Sequence, residues 1–363
     1  MVNAGRHNVA DFYGKQEALF LNGIAILMMF WHHFFGYNPG RNEAIEFFTI
    51  PIGSVSLEGV VAVFCKLCVA VFAFNTGYII WKRANDYLCY RKIFLRLLRF
   101  LLSYWVVCLL FLVVGYFIGH KLPSLTTFGW NLIGLSLSQD SGICVIFGWY
   151  VFYYIVLILL SPGLLLFYKR TRIAVDLFSL GVICLLFSRS IIALPFGSMQ
   201  FLEPIIVSVV GIMTAKYQIF SRIDKVLGFN KLPKIFFALI VLFFLRLGLV
   251  KSGVFYSIYV VDALLIVPFI YCMVSFFRLS CMLIKNVGMT LGLHSMYFWF
   301  LHSFFFIDNL SVQKFLYFPY IPTIILIWGM AIMLPIAMFL GYFQNKLDNG
   351  NNTFRLIYSK FNP

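Results

Sequence analysis

Charged residues are scarce in this chain of 363 residues. Only 11% of them are Asp, Glu, Lys or Arg, whereas 62% are hydrophobic. A typical soluble domain is about 45–50% apolar and about 25% charged, so this chain has too little polar surface to cover a water-soluble globule. The composition predicts a multi-pass membrane protein in a lipid bilayer. Its hydrophobic runs have the length of membrane-spanning helices, which predicts an all-α helical bundle.

Several signatures of known chemistry are also missing. The chain has no Walker motif, no G-x-G-x-x-G loop, no zinc-ligand spacing and no G-x-S-x-G elbow. These patterns mark P-loop and dinucleotide sites, zinc centres and α/β-hydrolases. The eight cysteines lie mostly inside apolar runs, where a thiol behaves as a small hydrophobic group. We therefore expect neither a disulfide framework nor a bound metal.

Long apolar runs are what the sequence has instead. A membrane-spanning helix needs about 20 mostly apolar residues. By this criterion we predict ten transmembrane helices, at 18–36, 59–81, 97–118, 145–167, 173–191, 202–218, 234–250, 255–277, 288–308 and 319–343. The stretch 125–138 is too short and too polar to cross. We expect it to form a re-entrant or interfacial helix on the outer side.

The basic residues are distributed unevenly between the loops. Of the 28 Lys and Arg residues, 21 lie in or beside one set of connections, and five lie in the alternate set. Cytoplasmic loops carry the excess of positive charge, so both termini are predicted to be cytoplasmic. We expect one integral-membrane domain over 1–363, with tails at 1–17 and 344–363. The net charge of +15 is then mainly a topology signal, and we expect no nucleic-acid partner.

Ionisable residues inside the predicted spans are candidates for function, because they are costly in hydrocarbon. A structural role, such as a hydrogen bond to a neighbouring helix, is an equal alternative for Glu203, Arg246 and Asp262, and Lys66 is placed to reach the outer surface. The histidines differ in that their depths agree. His33 and His302 lie 18 and 17 residues beyond a cytoplasmic lysine, so both are expected in the outer half of the bilayer. The remaining candidates are His32 and His294.

A basic cluster lies where the third span begins. In the segment YRKIFLRLLRF, Arg99 follows Arg96 by three positions, so the two side chains share one helix face. Arg91 and Lys92 come just before them. The cluster is either a topology anchor or a clamp for the phosphates of a nucleotide-based donor, since guanidinium groups bind phosphate in a bidentate manner.

Several segments resemble the acyltransferase 3 family of integral-membrane O-acyltransferases that modify bacterial glycans. In LNGIAILMMFWHHFF, His33 matches the histidine of the family's opening motif, in which ten residues separate a basic residue from the histidine. Asn22 stands where the family usually has Arg or Lys. In KLCVAVFAFNTGYII, the residues Thr76, Gly77 and Tyr78 stand in for the family's Ser-Gly-Tyr.

Three further segments extend the resemblance over most of the chain. RLLR at 96–99 resembles the family's Arg-x-x-Arg motif. GWYVFYYIVLILLSP, with Trp149 and Tyr150, is similar to its Trp-Tyr/Phe segment. LGLHSMYFWFLHSFFF resembles its late signature, which in this chain consists of His294, Ser295, Trp299 and His302. The motifs occur in the family's order on spans of the expected topology.

The resemblance implies an O-acetyltransferase or related O-acyltransferase in a bacterial cytoplasmic membrane. It implies acetyl-CoA or another acyl-CoA as donor, held by Arg96 and Arg99 with help from Arg91. His33 is expected to act as general base on a sugar hydroxyl, and neutral His302 or Tyr150 to stabilise the oxyanion. The acceptor is left open among capsular polysaccharide, exopolysaccharide, O-antigen, their precursors, peptidoglycan and a small metabolite. Supporting roles fall to His32, Asn22, Thr76, Tyr78, Trp149, His294 and Ser295.

Two other classes compete with this reading. A transporter or flippase of a lipid-linked glycan or small molecule would also place polar residues inside many spans. Against it, the hydropathy pattern has no inverted repeat and the RLLR cluster has no role in export. A polysaccharide polymerase would be expected to carry a long outer loop with several arginines, which this sequence lacks.

Overall fold

The computed structural model describes residues 12–36, 44–117, 123–135, 148–188, 202–255, 257–306 and 309–350. These residues are almost entirely helical, which confirms the predicted all-α membrane bundle. In chain order the α-helices are α1 (Lys15–Trp31), α2 (Leu57–Cys65), α3 (Cys68–Lys82), α4 (Ala84–Tyr87), α5 (Tyr90–Phe117), α6 (Leu125–Asn131), α7 (Trp149–Arg170), α8 (Ile173–Ser188), α9 (Ile205–Lys216), α10 (Ile219–Leu227), α11 (Leu232–Ser252), α12 (Ile258–Leu279), α13 (Met282–Leu293), α14 (Ser295–Leu301), α15 (Leu310–Tyr317) and α16 (Pro322–Gly350).

Each predicted span coincides with one of these helices or with a consecutive pair. Within the described residues, seven segments are long and apolar enough to cross a membrane, and α8, α9 and α13 are shorter apolar helices that correspond to the other three predictions. The stretch around 125–138 forms only the short helix α6, and its residues from 136 onward lie outside the described part of the chain. The last helix continues to Gly350, beyond the predicted end of the last span at 343.

Two of the predicted spans change their helix type part-way, and both carry histidines. α1 passes into a π-helical turn, His32–Gly36. The ninth span is divided at His294, which ends α13 and precedes α14, and α14 then tightens into a 3₁₀ turn, His302–Phe306. Such departures from α-helical hydrogen bonding are frequent at functional sites.

The second span is also divided, at a turn between α2 and α3. α2 begins with Ser56, whose hydroxyl oxygen accepts a hydrogen bond from the Gly59 backbone at 3.1 Å and so caps the helix. Just before it, β1 (Pro51–Ile52) pairs antiparallel with β2 (Val55–Ser56), Ile52 facing Val55. The left-handed Gly53, with φ at 61°, makes the tight turn between them.

Glycines allow two helix pairs to touch along their backbones. A Cβ added at Gly23 in α1 would overlap the carbonyl oxygen of Gly288 in α13, and one at Gly292 would overlap that of Leu19. The pair α3 and α9 meets in the same way at Gly77 and Gly211. Small residues at helix crossings are the usual basis of close packing in membranes, so these two contacts form the centre of the bundle.

Burial follows from this arrangement. In the most apolar stretch of α12, 72% of the residues are buried, whereas in that of α11 only 17% are buried. α12 is therefore central in the bundle and α11 is peripheral. Exposed Phe, Leu, Ile and Val side chains cover the outer helices, as expected for surfaces that face lipid.

Candidate active site

His32 and His33 lie side by side in the π turn that follows α1, and both are half-buried. The Nδ1 atom of His32 lies 2.8 Å from the carbonyl oxygen of Ala62 in α2. A carbonyl only accepts hydrogen bonds, so His32 carries its proton on Nδ1. The ring centroid of His33 lies 4.9 Å from that of His32. The Ala62 carbonyl therefore fixes the ring beside His33.

His302 meets His33 from the other side of the site. It is 1% exposed, and its ring centroid lies 5.1 Å from that of His33, at an interplanar angle of 35°. The equal depths inferred from the sequence thus correspond to a real contact between two helices. His302 Nδ1 is hydrogen-bonded to the Trp299 carbonyl oxygen one turn earlier. In the neutral ring this bond holds the proton on Nδ1 and leaves Nε2 as an acceptor.

An aromatic wall continues from His302. The Trp299 ring lies 6.0 Å from His302 and 4.6 Å from Tyr150, and it meets Phe72 edge-on at 5.3 Å. Trp149 is 6.4 Å from the same indole. Four segments (α3, α7, α14 and the π turn) thus meet in one buried, mostly aromatic cluster.

Tyr150 and Thr76 are neighbours within this wall. The Thr76 side chain lies beside the Tyr150 hydroxyl, and the Thr76 hydroxyl donates to the Phe72 carbonyl oxygen at 2.9 Å. This contact joins two segments that the sequence motifs had singled out separately.

The three arginines of the predicted clamp lie at the beginning of α5, and all are half-buried. The Arg96 guanidinium stacks on the Tyr87 ring, 4.0 Å from its centroid, which is a cation–π distance. Nearby, Lys92 forms an exposed ion pair with Asp86 at 2.8 Å. The hydrogen bond from Lys92 lowers the pKa of the Asp86 carboxyl, so this carboxylate stays ionised within the basic cluster.

A polar junction connects the arginine end of α5 with α14 and α16. The Gln344 side-chain amide donates to the Arg99 carbonyl oxygen at 3.2 Å, and its oxygen accepts from Ser103 at 2.5 Å and from Tyr297. Tyr297 precedes His302 by five residues, which is about 7.5 Å along a helix. The junction therefore connects the helix of the arginines, α5, with the helix that leads to His302, α14.

Asn22, which occupies the position of the family's basic residue, lies apart from the histidines. Its side-chain oxygen accepts a hydrogen bond from Asn75 at 2.7 Å, and Asn75 in turn accepts from the Tyr13 hydroxyl. Asn22 thus belongs to a neutral chain of hydrogen bonds between α1, α3 and the segment that precedes α1. Among the hydrogen bonds of the described residues, no cation takes its place.

Three other candidates also lie outside the histidine group. Tyr78 packs against Tyr13, with ring centroids 4.8 Å apart. His294 and Ser295 lie at the junction of α13 and α14, where His294 faces Gly341 of α16. The structure therefore separates the predicted residues into a histidine–aromatic group, an arginine group and outlying helix contacts.

A buried ion pair lies behind α2. Arg246 and Asp262 are both fully buried, with Arg246 Nε 2.8 Å from Asp262 Oδ1. The same guanidinium donates to the Val63 carbonyl oxygen at 2.5 Å. Val63 follows Ala62, whose carbonyl holds His32, so the pair supports the segment of α2 that orients the histidines. In the part of the chain that the structure describes, no group of three His, Cys, Asp or Glu residues is arranged to bind a metal.

Comparison with known protein families identifies the family of this chain. The family model described as "Acyltransferase domain" (Acyl_transf_3) matches residues 20–342, which is nearly the whole chain. The chain belongs to the acyltransferase 3 family. It is therefore a membrane acyltransferase, and the resemblance inferred from its motifs is confirmed. No curated protein and no solved structure matches the chain.

Sequence reasoning missed several residues of this acyltransferase. Asn75 and Gln344 were assigned no role, although each is an amide at the edge of or within an apolar run, which is a usable signal. Trp299 was part of a motif but received no function. The carbonyls of Ala62 and Val63 carry no sequence signal, because any residue supplies a backbone carbonyl.

Proposed function

We propose that the acyltransferase moves an acyl group, most simply acetyl, from cytoplasmic acyl-CoA to a sugar hydroxyl. The observation that carries the proposal is the contact between His33 and His302, with centroids 5.1 Å apart, beside an aromatic wall. The acceptor is a cell-surface glycan or its precursor, such as a capsular polysaccharide, an exopolysaccharide or an O-antigen. The enzyme would work in the bacterial cytoplasmic membrane.

The donor would bind at the arginine end of α5. Arg96 and Arg99, supported by Arg91, provide guanidinium groups for the phosphates of CoA. The Tyr87 ring under Arg96 holds one of these groups in place before the donor arrives. From there the pantetheine arm would pass the Gln344 junction and deliver the thioester to the histidine pair.

His33 would act as the general base. It takes the proton of the sugar hydroxyl while the hydroxyl oxygen attacks the thioester carbonyl carbon. The C–O bond forms, the C–S bond breaks, and the proton returns to the CoA thiolate, so the free thiol leaves. Imidazole suits this exchange because its ordinary pKa lies near neutrality.

His302 and Tyr150 would shape the site around this base. His302 donates Nδ1–H to Trp299, so the neutral ring has no second N–H for an oxyanion, and we assign it the positioning of His33. Tyr150 packs against Trp299, with ring centroids 4.6 Å apart, and would line the site for the thioester. His32 holds the π turn through Ala62.

Binding of CoA tests the donor site. Isothermal titration of the purified protein in detergent should detect CoA, and the double variant R96A/R99A should lose this binding. The matched control is K169A/R170A, which removes two exposed basic residues at the end of α7 and should bind normally. A wild-type protein that does not bind CoA would favour a transporter.

Transfer itself is tested with His33→Ala. This variant should lose acyl transfer to the glycan while it still binds CoA, because the arginine cluster is unchanged. Mass spectrometry of the surface glycan, with and without the active gene, should show the loss of acetyl increments and so identify the acceptor. Full transfer by the His33→Ala variant would contradict the assigned base.

A further inference from the structure

The indole of Trp299 carries a buried hydrogen-bond donor that the protein does not use. Trp299 is 5% exposed, and its Nε1 atom has no partner among the residues that the structure describes. Three other indoles are satisfied: Trp31 donates to Glu58, Trp105 to Leu132 and Trp328 to Phe315, each to a backbone carbonyl. A buried donor without an acceptor is costly, so such a group in a native structure requires an explanation, of which a catalytic role is one.

The position of this donor is close to the proposed chemistry. The Trp299 ring lies 6.0 Å from His302 and 4.6 Å from Tyr150, and His302 touches His33. Trp299 and His302 are three residues apart, so they lie on the same face of the helical segment. The indole and His33 thus both lie against His302, so a carbonyl group delivered to His33 would approach the indole.

The N–H of the neighbouring histidine is already occupied, because the Nδ1 proton of His302 is held by the Trp299 backbone carbonyl. The Trp299 indole, in contrast, can donate to a ligand oxygen without breaking a hydrogen bond to any residue that the structure describes.

We propose that the Trp299 N–H is the oxyanion donor of the acyltransferase, an inference that rests on the proposed acyl transfer. When the sugar oxygen attacks the thioester carbon, the carbonyl oxygen gains negative charge, and Nε1–H donates a hydrogen bond to it. Collapse of the tetrahedral intermediate re-forms the carbonyl as the C–S bond breaks. The ligand class is thus a thioester carbonyl. The same residue serves twice, since its backbone carbonyl sets the tautomer of His302 and its side chain stabilises the transition state.

The test replaces Trp299 with β-(3-benzothienyl)alanine, in which sulfur stands for the N–H and the ring size is nearly kept. The kcat for acyl transfer should fall by on the order of 10²–10³-fold, as when a single oxyanion donor is removed. The KM for acyl-CoA and the binding of CoA should not change, because the donor acts on the transition state. Trp299→Phe, which also lacks the donor, should show the same division between kcat and KM.

The same replacement at Trp328 is the matched control. Its indole donates to a backbone carbonyl at the α15–α16 contact, so this variant should keep the wild-type kcat. A wild-type kcat with benzothienylalanine at position 299, or a loss confined to KM, overturns the oxyanion role while wild-type transfer leaves the proposed function intact. Absence of transfer by the folded wild-type protein, with acyl-CoA and glycan both present, overturns the proposed function and this inference together.

Discussion

His32 and His33 are adjacent in the chain but make different contacts. His32 donates a hydrogen bond from Nδ1 to the Ala62 carbonyl of α2. His33 instead faces His302 at the start of the 3₁₀ turn. One side chain therefore joins the π turn to the bundle, and the other lies against His302. In the proposed mechanism the first is an anchor and the second is the base.

Replacement of His32 separates these roles. His32→Asn keeps an N–H donor at the position of Nδ1 and should retain transfer activity. His32→Ala loses a hydrogen bond of about 1 kcal/mol, which corresponds to a drop in kcat of up to about fivefold if the bond orients His33. Kinetic measurement of acyl transfer by both variants checks this. Equal rates for Asn and Ala would contradict the anchoring role.

Residue identities were predictable where a motif or a depth argument marked them. His33 and His302 were paired by counting residues from the cytoplasmic lysines, and the structure brings their rings together. The tautomers were not predictable, because they depend on carbonyls of Ala62 and Trp299 that any sequence would supply. The partner of Asn22 was missed for a similar reason, since Asn75 is brought near it only by the packing of α1 against α3.

At the scale of helices, both histidines of the central pair lie where an α-helix changes its hydrogen-bond pattern. The sequence predicted continuous spans at 18–36 and 288–308, and the structure instead gives a π turn after Trp31 and breaks at His294 and His302. Hydropathy records how long a segment stays apolar, not which carbonyl each N–H selects. Span positions were therefore predictable, and the local turns that aim the histidines were not.

The glycine contact between α1 and α13 sets the distance between these histidine-bearing segments. Gly292→Ala should destabilise the protein by about 1–3 kcal/mol, because its new Cβ would overlap the Leu19 carbonyl. Transfer activity should fall with it as α1 and α13 separate. Thermal unfolding together with the transfer assay measures both effects.

Gly248→Ala in α11 is the matched control for this prediction. An added Cβ at Gly248 meets nothing within 4 Å, so this variant should gain about 0.5–1 kcal/mol from higher helix propensity. The contact would be unimportant if Gly292→Ala and Gly248→Ala had the same melting temperature and activity.

At the scale of the whole molecule, the distribution of basic residues agrees with the packing of the helix ends. Most Lys and Arg residues lie at one set of helix ends. The structure brings two of these ends together, since Gln344 near the end of α16 donates to Arg99 near the start of α5. The fold class and the family were predictable from composition and motif order, because both depend on the chain as a whole.

Cysteine accessibility tests the orientation. In a variant without reactive native cysteines, Asn230→Cys before α11 should be labelled only from the cytoplasmic side, and Ser252→Cys at its end only from outside. α11 has 21 residues, about 31 Å of helix, which matches the bilayer core. A membrane-impermeant maleimide added to intact spheroplasts distinguishes the two positions. Labelling of both from one side would exclude a crossing by α11.

The glycine contact between α1 and α13 also bears on how the protein is made. α13 has only 12 residues, about 18 Å of helix, and its span is interrupted at His294 before it continues in α14, so α13 alone does not cross a hydrocarbon core of about 30 Å. Such a segment gains its place in the bilayer from its contact with α1, which leaves the ribosome long before it. During biosynthesis the first helix must therefore keep its glycine face unoccupied until the last quarter of the chain is inserted, and premature association there would trap an incomplete protein.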